Sequence, residues 1–328
     1  MQNLRRAIHK LLLAAAAICI APCSAYAQGS YPNKPIKIIV PFLAGGSIDL
    51  IIRLLGQHMV ITQEQPFVVE NKAGAGGTIG GDAVAKAAPD GYTLLFSAQS
   101  PLTTSPFLIK AMPYDAQTAF AAISIAVEAP NVLLVHESVP ARTVPRFVEY
   151  AKANREKITY NTPGLGTTAH VTGMLFEQQA GISLVHVLYK GFPPALTDVK
   201  AGRVNAMIAD TINVLPHVRS KELIPIAVAA TKRSPALPDV PTFAESGYPG
   251  IVAGPWFALV APAGTPVNIR NRLSEEVRKA LRVPAVADKL RDFGAEPRGT
   301  SPEESETYIK NEYQRFGAAI RGAGVVPQ

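Results

Sequence analysis

The chain has little cysteine, little charge and no long apolar run beyond its first block. Two cysteines occur in 328 residues, Cys19 and Cys23. A disulfide framework or a cysteine-built zinc site therefore has no raw material further along the chain. His58, His136, His170, His186 and His217 show no ligand-like i,i+4 pairing, and no H-E-x-x-H occurs, so neither a metal nor another cofactor is expected. Charged residues make up 17%, with no Lys/Arg block interleaved with aromatics, which counts against a nucleic-acid partner. What is present is apolar: 48% of residues are hydrophobic. That fraction can bury a full core, and a single core rarely grows past roughly 250–300 residues, so two are expected. The composition excludes a disordered or collagen-like chain.

The first block, MQNLRRAIHKLLLAAAAICIAPCSAYA, places Arg5, Arg6 and Lys10 before an apolar run from Leu11 to Ala21 and ends in Ala25-Tyr26-Ala27. This is the layout of a secretory signal peptide over 1–27, cleaved after Ala27. The run is shorter than the roughly 20 residues a membrane span needs. A lipid-anchored alternative would use Cys23, but Pro22 stands where a small residue is expected. Export removes three basic residues, leaving 29 against 25 acidic ones, and removes both cysteines. The expected compartment is the periplasm.

Short aliphatic runs, each followed by a Gly/Pro/Ser/Thr turn and a helical pattern, recur from Ile36 to Val260. The strands expected are 36–40, 67–69, 92–96, 131–135, 158–160, 184–188, 206–209, 224–229 and 257–260. Helices are expected at 48–60, 78–88, 143–154, 167–180, 193–201, 212–220, 266–282, 284–292 and 302–322. The alternation reads as βαβ units, an α/β class with mainly parallel, helix-flanked sheets. Thr265-Pro266 and Ser301-Pro302 each offer a cap followed by proline at the first helical position. Because two or three helices follow the strand at 257–260, the chain is expected to return to its first lobe. This gives one lobe from 31–127 and 255–328 and another from 128–254, with a hinge near Glu128 and Gly254.

Three glycine-rich turns sit where a strand hands over to a helix. In Pro41-Phe42-Leu43-Ala44-Gly45-Gly46-Ser47-Ile48-Asp49, glycine lets the backbone approach a bound group and the helix offers unpaired N–H groups, which suits an anion. Two readings of this loop stand open: an anion site, or a tight turn at Gly45 and Gly46 with Ser47 capping the helix. Asp49 is likewise open between complementing the helix dipole and meeting a ligand or bracing the hinge. The turn Asn161-Thr162-Pro163-Gly164-Leu165-Gly166-Thr167-Thr168-Ala169-His170 offers the same chemistry from the other lobe. The third, Asn71-Lys72-Ala73-Gly74-Ala75-Gly76-Gly77-Thr78-Ile79-Gly80, fits neither phosphate-binding glycine motif and reads as a packing turn in which Asn71 orients the neighbouring loop. Asp49 replaces the last glycine of a nucleophile elbow, so Ser47 is a poor hydrolase nucleophile.

These segments, together with VVENKAGAGGTIGGDAVAKAAPDGYTLL (68–95), YKGFPPALTDVKAG (189–202), RSPALPDVPTFAESGYPG (233–250) and APAGTPV (261–267), run in order along nearly the whole exported chain. In this the sequence resembles the Bug-type receptors, the periplasmic substrate-binding receptors of tripartite tricarboxylate transporters. The resemblance implies a two-lobed, type II-like periplasmic-binding-protein fold. It closes as a monomer on a small mono- or dicarboxylate and serves integral membrane transporter subunits. It also implies that the first two turns clasp one ligand carboxylate, partly through water. Carried over by position, that role falls on Phe42, Ala44, Gly45, Ser47 and Asp49 from one wall, with Gly46 beside them, and on Gly164, Thr167, Thr168 and His170 from the other. Tyr189, Lys190 and Gly191 match the next cleft segment, and Asp210 an acidic position after a strand. Lys190 could attract an acid or simply be solvated, and Asp210 could meet a cationic part of a ligand or brace the hinge. The stretch Ser97 to Thr103 departs from the family wording and is expected to face the far end of the ligand. The rival function is a secreted α/β hydrolase of a small ester or amide, using Ser47 or Thr167 with His170; a receptor for sensing or scavenging is a third.

Overall fold

Strand β1 (Ile36–Val40) has the sequence IKIIV and buries every residue but Lys37, as expected of a strand covered by helices on both faces. The computed structural model describes residues 31–59, 66–322 and 327. The expected signal peptide at 1–27 lies outside the described residues. β1 pairs in parallel with β2 (Phe67–Asn71) and β3 (Thr93–Ala98). Helix α1 (Ser47–Gly56) links β1 to β2 and α2 (Thr78–Ala85) links β2 to β3. α1 buries Ile48, Ile51, Ile52 and Leu55, an i, i+3, i+4, i+7 stripe facing the sheet side of the helix.

Two longer strands complete this sheet: β4 (Phe120–Glu128) and β10 (Trp256–Pro262). With the short β11 (Glu296–Pro297), the order is β11-β4-β10-β3-β1-β2. The second sheet holds β5 (Asn131–Val135), β6 (Thr159–Thr162), β7 (Val185–Leu188), β8 (Ala206–Asp210) and β9 (Ile224–Val228), ordered β7-β6-β8-β5-β9. The α/β class with helix-flanked sheets is as expected, but the expectation of mainly parallel sheets needs correction. β10 runs antiparallel to both β3 and β4, and β5 runs antiparallel to both β8 and β9. β5 and β10 are the strands by which the chain enters one sheet from the other, so each runs against neighbours laid down by βαβ units. Mixed sheets of this kind are common in large α/β folds.

Helices α3 (Val144–Ala153), α4 (Thr168–Ala180), α5 (Phe192–Lys200) and α6 (Thr211–Arg219) accompany the second sheet. α7 (Val267–Arg282), α8 (Pro284–Asp292) and α9 (Pro302–Gly322) follow β10. Phe147, Tyr160, Phe176, Ile208 and Phe243 pack in one core of the second sheet. Ile39, Leu95, Ile125, Trp256 and Val260 pack in the first, where the Trp256 indole N–H donates to Glu312 Oε2 at 3.1 Å. α9 reaches residues of both stretches, since Phe316 and Ile320 pack with Leu108 and Val171.

Two helix starts repay comparison. Ser301 Oγ accepts from Glu304 N–H at 3.2 Å while Glu304 Oε2 accepts from Ser301 N–H at 2.8 Å, a reciprocal capping box ahead of Pro302. Thr265 is not a cap: its hydroxyl donates back to the Pro262 carbonyl at 2.7 Å, and Pro266 itself takes the position before α7. Where the chain passes between sheets, the two crossing segments bond to each other. Ala129 N–H donates to Pro255 O at 3.0 Å and Asn131 N–H to Ala253 O at 3.1 Å. They run so close that a Cβ on Gly254 would lie 2.0 Å from the Ala129 carbonyl oxygen.

Candidate functional site

The first glycine turn is braced from within its own sheet. Gly45 has φ +82°, a left-handed conformation that glycine adopts freely. Its N–H donates to Asp49 Oδ2 at 3.1 Å. Asp49 Oδ1 accepts from Arg53 Nε at 2.9 Å and from Asn71 Nδ2 at 3.0 Å, and Asn71 Nδ2 also donates to the Phe42 carbonyl at 3.1 Å. Asn71 therefore orients this loop, as its sequence position suggested. Burial alone would raise the Asp49 carboxyl, but the hydrogen bonds from Arg53, Gly45 and Asn71 outweigh it and hold the group below the usual carboxylate range. Asp49 holds the turn's shape.

Ser47 does not cap α1. Gly46 takes the cap position with extended backbone (φ −87°, ψ 171°), and Ser47 is the first helical residue. Its hydroxyl instead reaches the other sheet, donating to Asp210 Oδ2 at 3.1 Å and accepting from Asn213 Nδ2 at 3.2 Å. Asp210 caps α6, accepting from Asn213 N–H at 3.1 Å with Oδ1 and from Asn213 Nδ2 at 2.9 Å with Oδ2. Burial pushes the Asp210 carboxyl up to about 6, more than these hydrogen bonds lower it.

The second turn is positioned by two neutral histidines. Thr167 caps α4, accepting from His170 N–H at 3.3 Å while its hydroxyl donates to the Gly164 carbonyl at 2.8 Å. His170 Nδ1 accepts from Gly166 N–H at 3.3 Å, and the His170 ring stacks on His186 at 4.5 Å between centroids. His186 Nε2 lies 2.8 Å from the Thr162 hydroxyl. Burial lowers His170 to about 4 and, joined by the charge of His170, lowers His186 to about 3. The Thr104 hydroxyl, from the first sheet's side, donates to the Gly166 carbonyl.

Between these turns lies a small cavity, part of it open to solvent. The starts of four helices meet on its wall: Gly46, Ser47 and Ile48 from α1; Thr167, Thr168 and Ala169 from α4; Gly191 and Phe192 from α5; Asp210 and Asn213 from α6. Helix N-termini carry partial positive charge and outward N–H groups, so their convergence favours an anion. Phe42, Phe192 and Phe257 supply apolar surface, and among the described residues no lysine, arginine or histidine is on the wall. Anion binding here would rest on neutral donors.

Of the residues expected from the sequence, Phe42, Gly46, Ser47, Thr167, Thr168, Gly191 and Asp210 share this cavity. Ala44, Gly45, Asp49, Gly164, His170, Tyr189 and Lys190 are off its wall. Gly164 is buried behind it, where a Cβ would meet Phe42 at 3.6 Å. Tyr189 turns its hydroxyl to Asp198 Oδ2 at 2.5 Å, and Lys190 is exposed. Asn131 and Asn213 were not singled out by sequence, yet both are on the wall, and Gln99 is there with them. Gln99 falls in the 97–103 stretch expected to face the ligand's far end. It stands where β3 passes into a π-helical turn (Ser100–Thr104). Ser47 does not pair with His170: Ser47 bonds to a carboxylate and an amide, while the His170 ring nitrogen Nδ1 serves Gly166.

Two helix-flanked sheets whose glycine turns meet over an anion-favouring cavity define a periplasmic-binding-protein type of solute receptor. The comparisons with known proteins make this specific. The pattern of the tripartite tricarboxylate transporter family receptor (TctC) matches residues 51–325. The chain is 37% identical to the protein BugT of Bordetella pertussis across 97% of each chain. It is similar to the solved periplasmic binding protein BugD, at 34% identity and TM-score 0.86, over 91% of this chain and all of that one. A Rhodopseudomonas palustris protein solved with adipate, Rpa4515, is 33% identical with TM-score 0.88, over 91% of this chain and 100% of that one. The chain belongs to the tripartite tricarboxylate transporter receptor family, the Bug-type solute-binding proteins.

Proposed function

We propose that this protein captures a small organic carboxylate in the cavity between its two sheets and delivers it to the integral membrane subunits of a tripartite transporter. The supporting observation is the convergence of four helix N-termini on a wall that, among the described residues, holds no cationic side chain. Each hydrogen bond to a charged ligand is worth roughly 1.5–3 kcal/mol, so two or three would hold a small acid. Phe42, Gly46, Ser47, Thr167, Thr168, Gly191 and Asp210 are the proposed ligand-facing residues. Gly45, Asp49, Gly164 and His170 act through the turns they shape. The lobes are 31–127 with 255–328, and 128–254, hinged where the two crossing segments bond. The chain works as a monomer in the periplasm after cleavage at Ala27, and it catalyses nothing: Ser47 is bonded to Asp210 and Asn213 rather than to an imidazole. That the R. palustris relative was solved with adipate supports a carboxylate ligand.

A thermal-shift screen of small mono- and dicarboxylic acids, followed by calorimetry, tests the ligand class. At least one acid should raise the unfolding midpoint, bind at micromolar concentration or below, and be recovered chemically unchanged. A full screen in which no acid stabilises the protein, or in which an acid ester is turned over, would contradict this reading. Uptake of the bound acid by cells with and without the gene separates transport from sensing.

A further inference from the structure

The third glycine turn, 71–80, has no residue on the cavity wall. It lies instead against the second turn, which belongs to the other sheet. Gly76 has φ +62°, and a Cβ there would come within 2.7 Å of the Leu165 carbonyl oxygen, which is backbone and cannot swing aside. The π-helical turn and the Ser105–Phe107 turn after it meet the same segment. The Thr104 hydroxyl donates to the Gly166 carbonyl. Ser105 Oγ, buried and without a partner, lies 3.7 Å from where a Gly76 Cβ would stand and 3.6 Å from where one on Gly166 would. Beside them Leu108 packs with Val171 of α4 and with Phe316 and Ile320 of α9, and none of the four is more than 2% exposed. A backbone approach, a hydrogen bond and an apolar cluster thus join Gly76, Thr104, Ser105 and Leu108 to Leu165, Gly166 and Val171. None of these residues is on the cavity wall.

We propose that this contact is a closure latch: the third glycine turn and the turns at 100–107 dock on Leu165, Gly166 and Val171 when the lobes close, and they set how long the closed state lasts without touching the ligand. The inference rests on the two-lobed, hinged reading above and gives the third turn a part in it. Contacts made between lobes only in the closed state favour that state whichever acid is inside. One such hydrogen bond is worth about two- to tenfold in the ratio of closed to open. The latch acts on departure rather than arrival, because a ligand enters the open form before the latch has made and leaves only after it has broken. Glycine at 76 follows from the same contact: a side chain there would hold the turn off the Leu165 carbonyl and keep the lobes apart.

Calorimetry and stopped-flow kinetics with succinate, malate and adipate as probes test the latch. Thr104→Val removes the donor to Gly166 and nearly keeps the side chain's volume. It should weaken every probe that binds by one common factor of about two to ten, through faster dissociation with association unchanged. Gly76→Ala should weaken them all by about tenfold or more. Gly181→Ala is the control: Gly181 has φ +60° and no atom within 4 Å of an added Cβ, so it carries the same backbone strain without a neighbour and should bind as the wild type does. Wild-type affinity in either latch variant overturns the proposal, as does a loss that differs from acid to acid or that lies in association. A second arm needs no ligand. Ser105→Cys with Gly166→Cys, in a chain with no other cysteine after Cys23, sacrifices no bond of the Ser105 hydroxyl and suits the span of a disulfide. Mild oxidation should crosslink the pair within one chain, and failure to crosslink overturns the latch. If the pair crosslinks and no acid of the wider screen binds, the lobe contact is supported and the carboxylate reading fails. If acids bind and no crosslink forms, the latch fails and the carboxylate reading stands.

Discussion

At Gly46 the chain combines an ordinary backbone with a place on the cavity wall. Its φ is −87°, and a Cβ there would find nothing nearer than the Leu43 carbonyl oxygen at 3.8 Å. Gly46→Val should therefore fold with a stability change within about 1 kcal/mol, as surface substitutions usually do. Its side chain would intrude on the ligand's space, and affinity should fall by about tenfold to a hundredfold. Calorimetry beside a denaturant titration separates the two, and unchanged affinity would remove α1 from the site. Asp210 makes a prediction in pH. Its carboxyl is pushed up to about 6 in the folded protein, against an ordinary value near 4. Such a group binds its proton more tightly folded than unfolded, so its contribution to stability is lost as pH rises from about 4 through about 6. Asparagine cannot ionise, so Asp210→Asn should gain on the wild type by ~2 kcal/mol between pH of about 4 and about 7. His170 and His186, lowered by burial, destabilise in the opposite sense as pH falls below about 6.5, but they are common to both proteins and cancel in the difference. A flat difference between the denaturation midpoints would contradict a buried, ionisable Asp210. The glycine and threonine turns could be read along the chain because their chemistry is local. Asn213 could not, since an amide in a helix's first turn reaches this cavity only through the chain crossing, and Gln99 was legible only as part of the stretch 97–103 expected to face the ligand.

Helix starts organise this molecule, and those with paired local signals were the legible ones. Ser301, Pro302 and Glu304 together form a capping box, and the structure has it. Ser301→Ala should cost about 1 kcal/mol and lower the thermal midpoint by a few degrees, with ligand affinity unchanged because α9 starts away from the cavity. No loss of stability would show that α9 draws nothing from its cap. Thr265 offered only one half of such a signal, and its hydroxyl turned back to Pro262 instead. Strands rich in isoleucine, leucine and valine were equally legible, β1 and β5 above all. β4 was missed because FAAISIAVE is diluted by three alanines and lacks the turn-bounded aliphatic run that marked the others. It is a strand because β10 and β11 pair with it on either side, which is a tertiary cause. The same cause defeated the expectation of parallel sheets: direction in β5 and β10 is set by where the chain arrives from.

The molecule as a whole depends on the crossing between its sheets, where two segments lie almost backbone to backbone. A Cβ on Gly254 would come within 2.0 Å of Ala129 O and 2.8 Å of Pro130 Cα, neither of which can swing aside as a side chain would. Gly254→Ala should lose at least 1–3 kcal/mol in denaturant titration, roughly the cost of overpacking a close-packed site. A variant as stable as the wild type would show that the segments separate readily. That crossing also brings the starts of α1, α4, α5 and α6 together, and on their meeting the functional reading rests. The most direct test is a crystal structure of the protein with an acid that binds it. The account predicts the ligand carboxylate against the N-termini of α1 and α4, accepting hydrogen bonds from main-chain N–H groups and hydroxyls there, directly or through one water. A carboxylate paired instead with an exposed cation such as Lys190, outside the ring of helix starts, would contradict it.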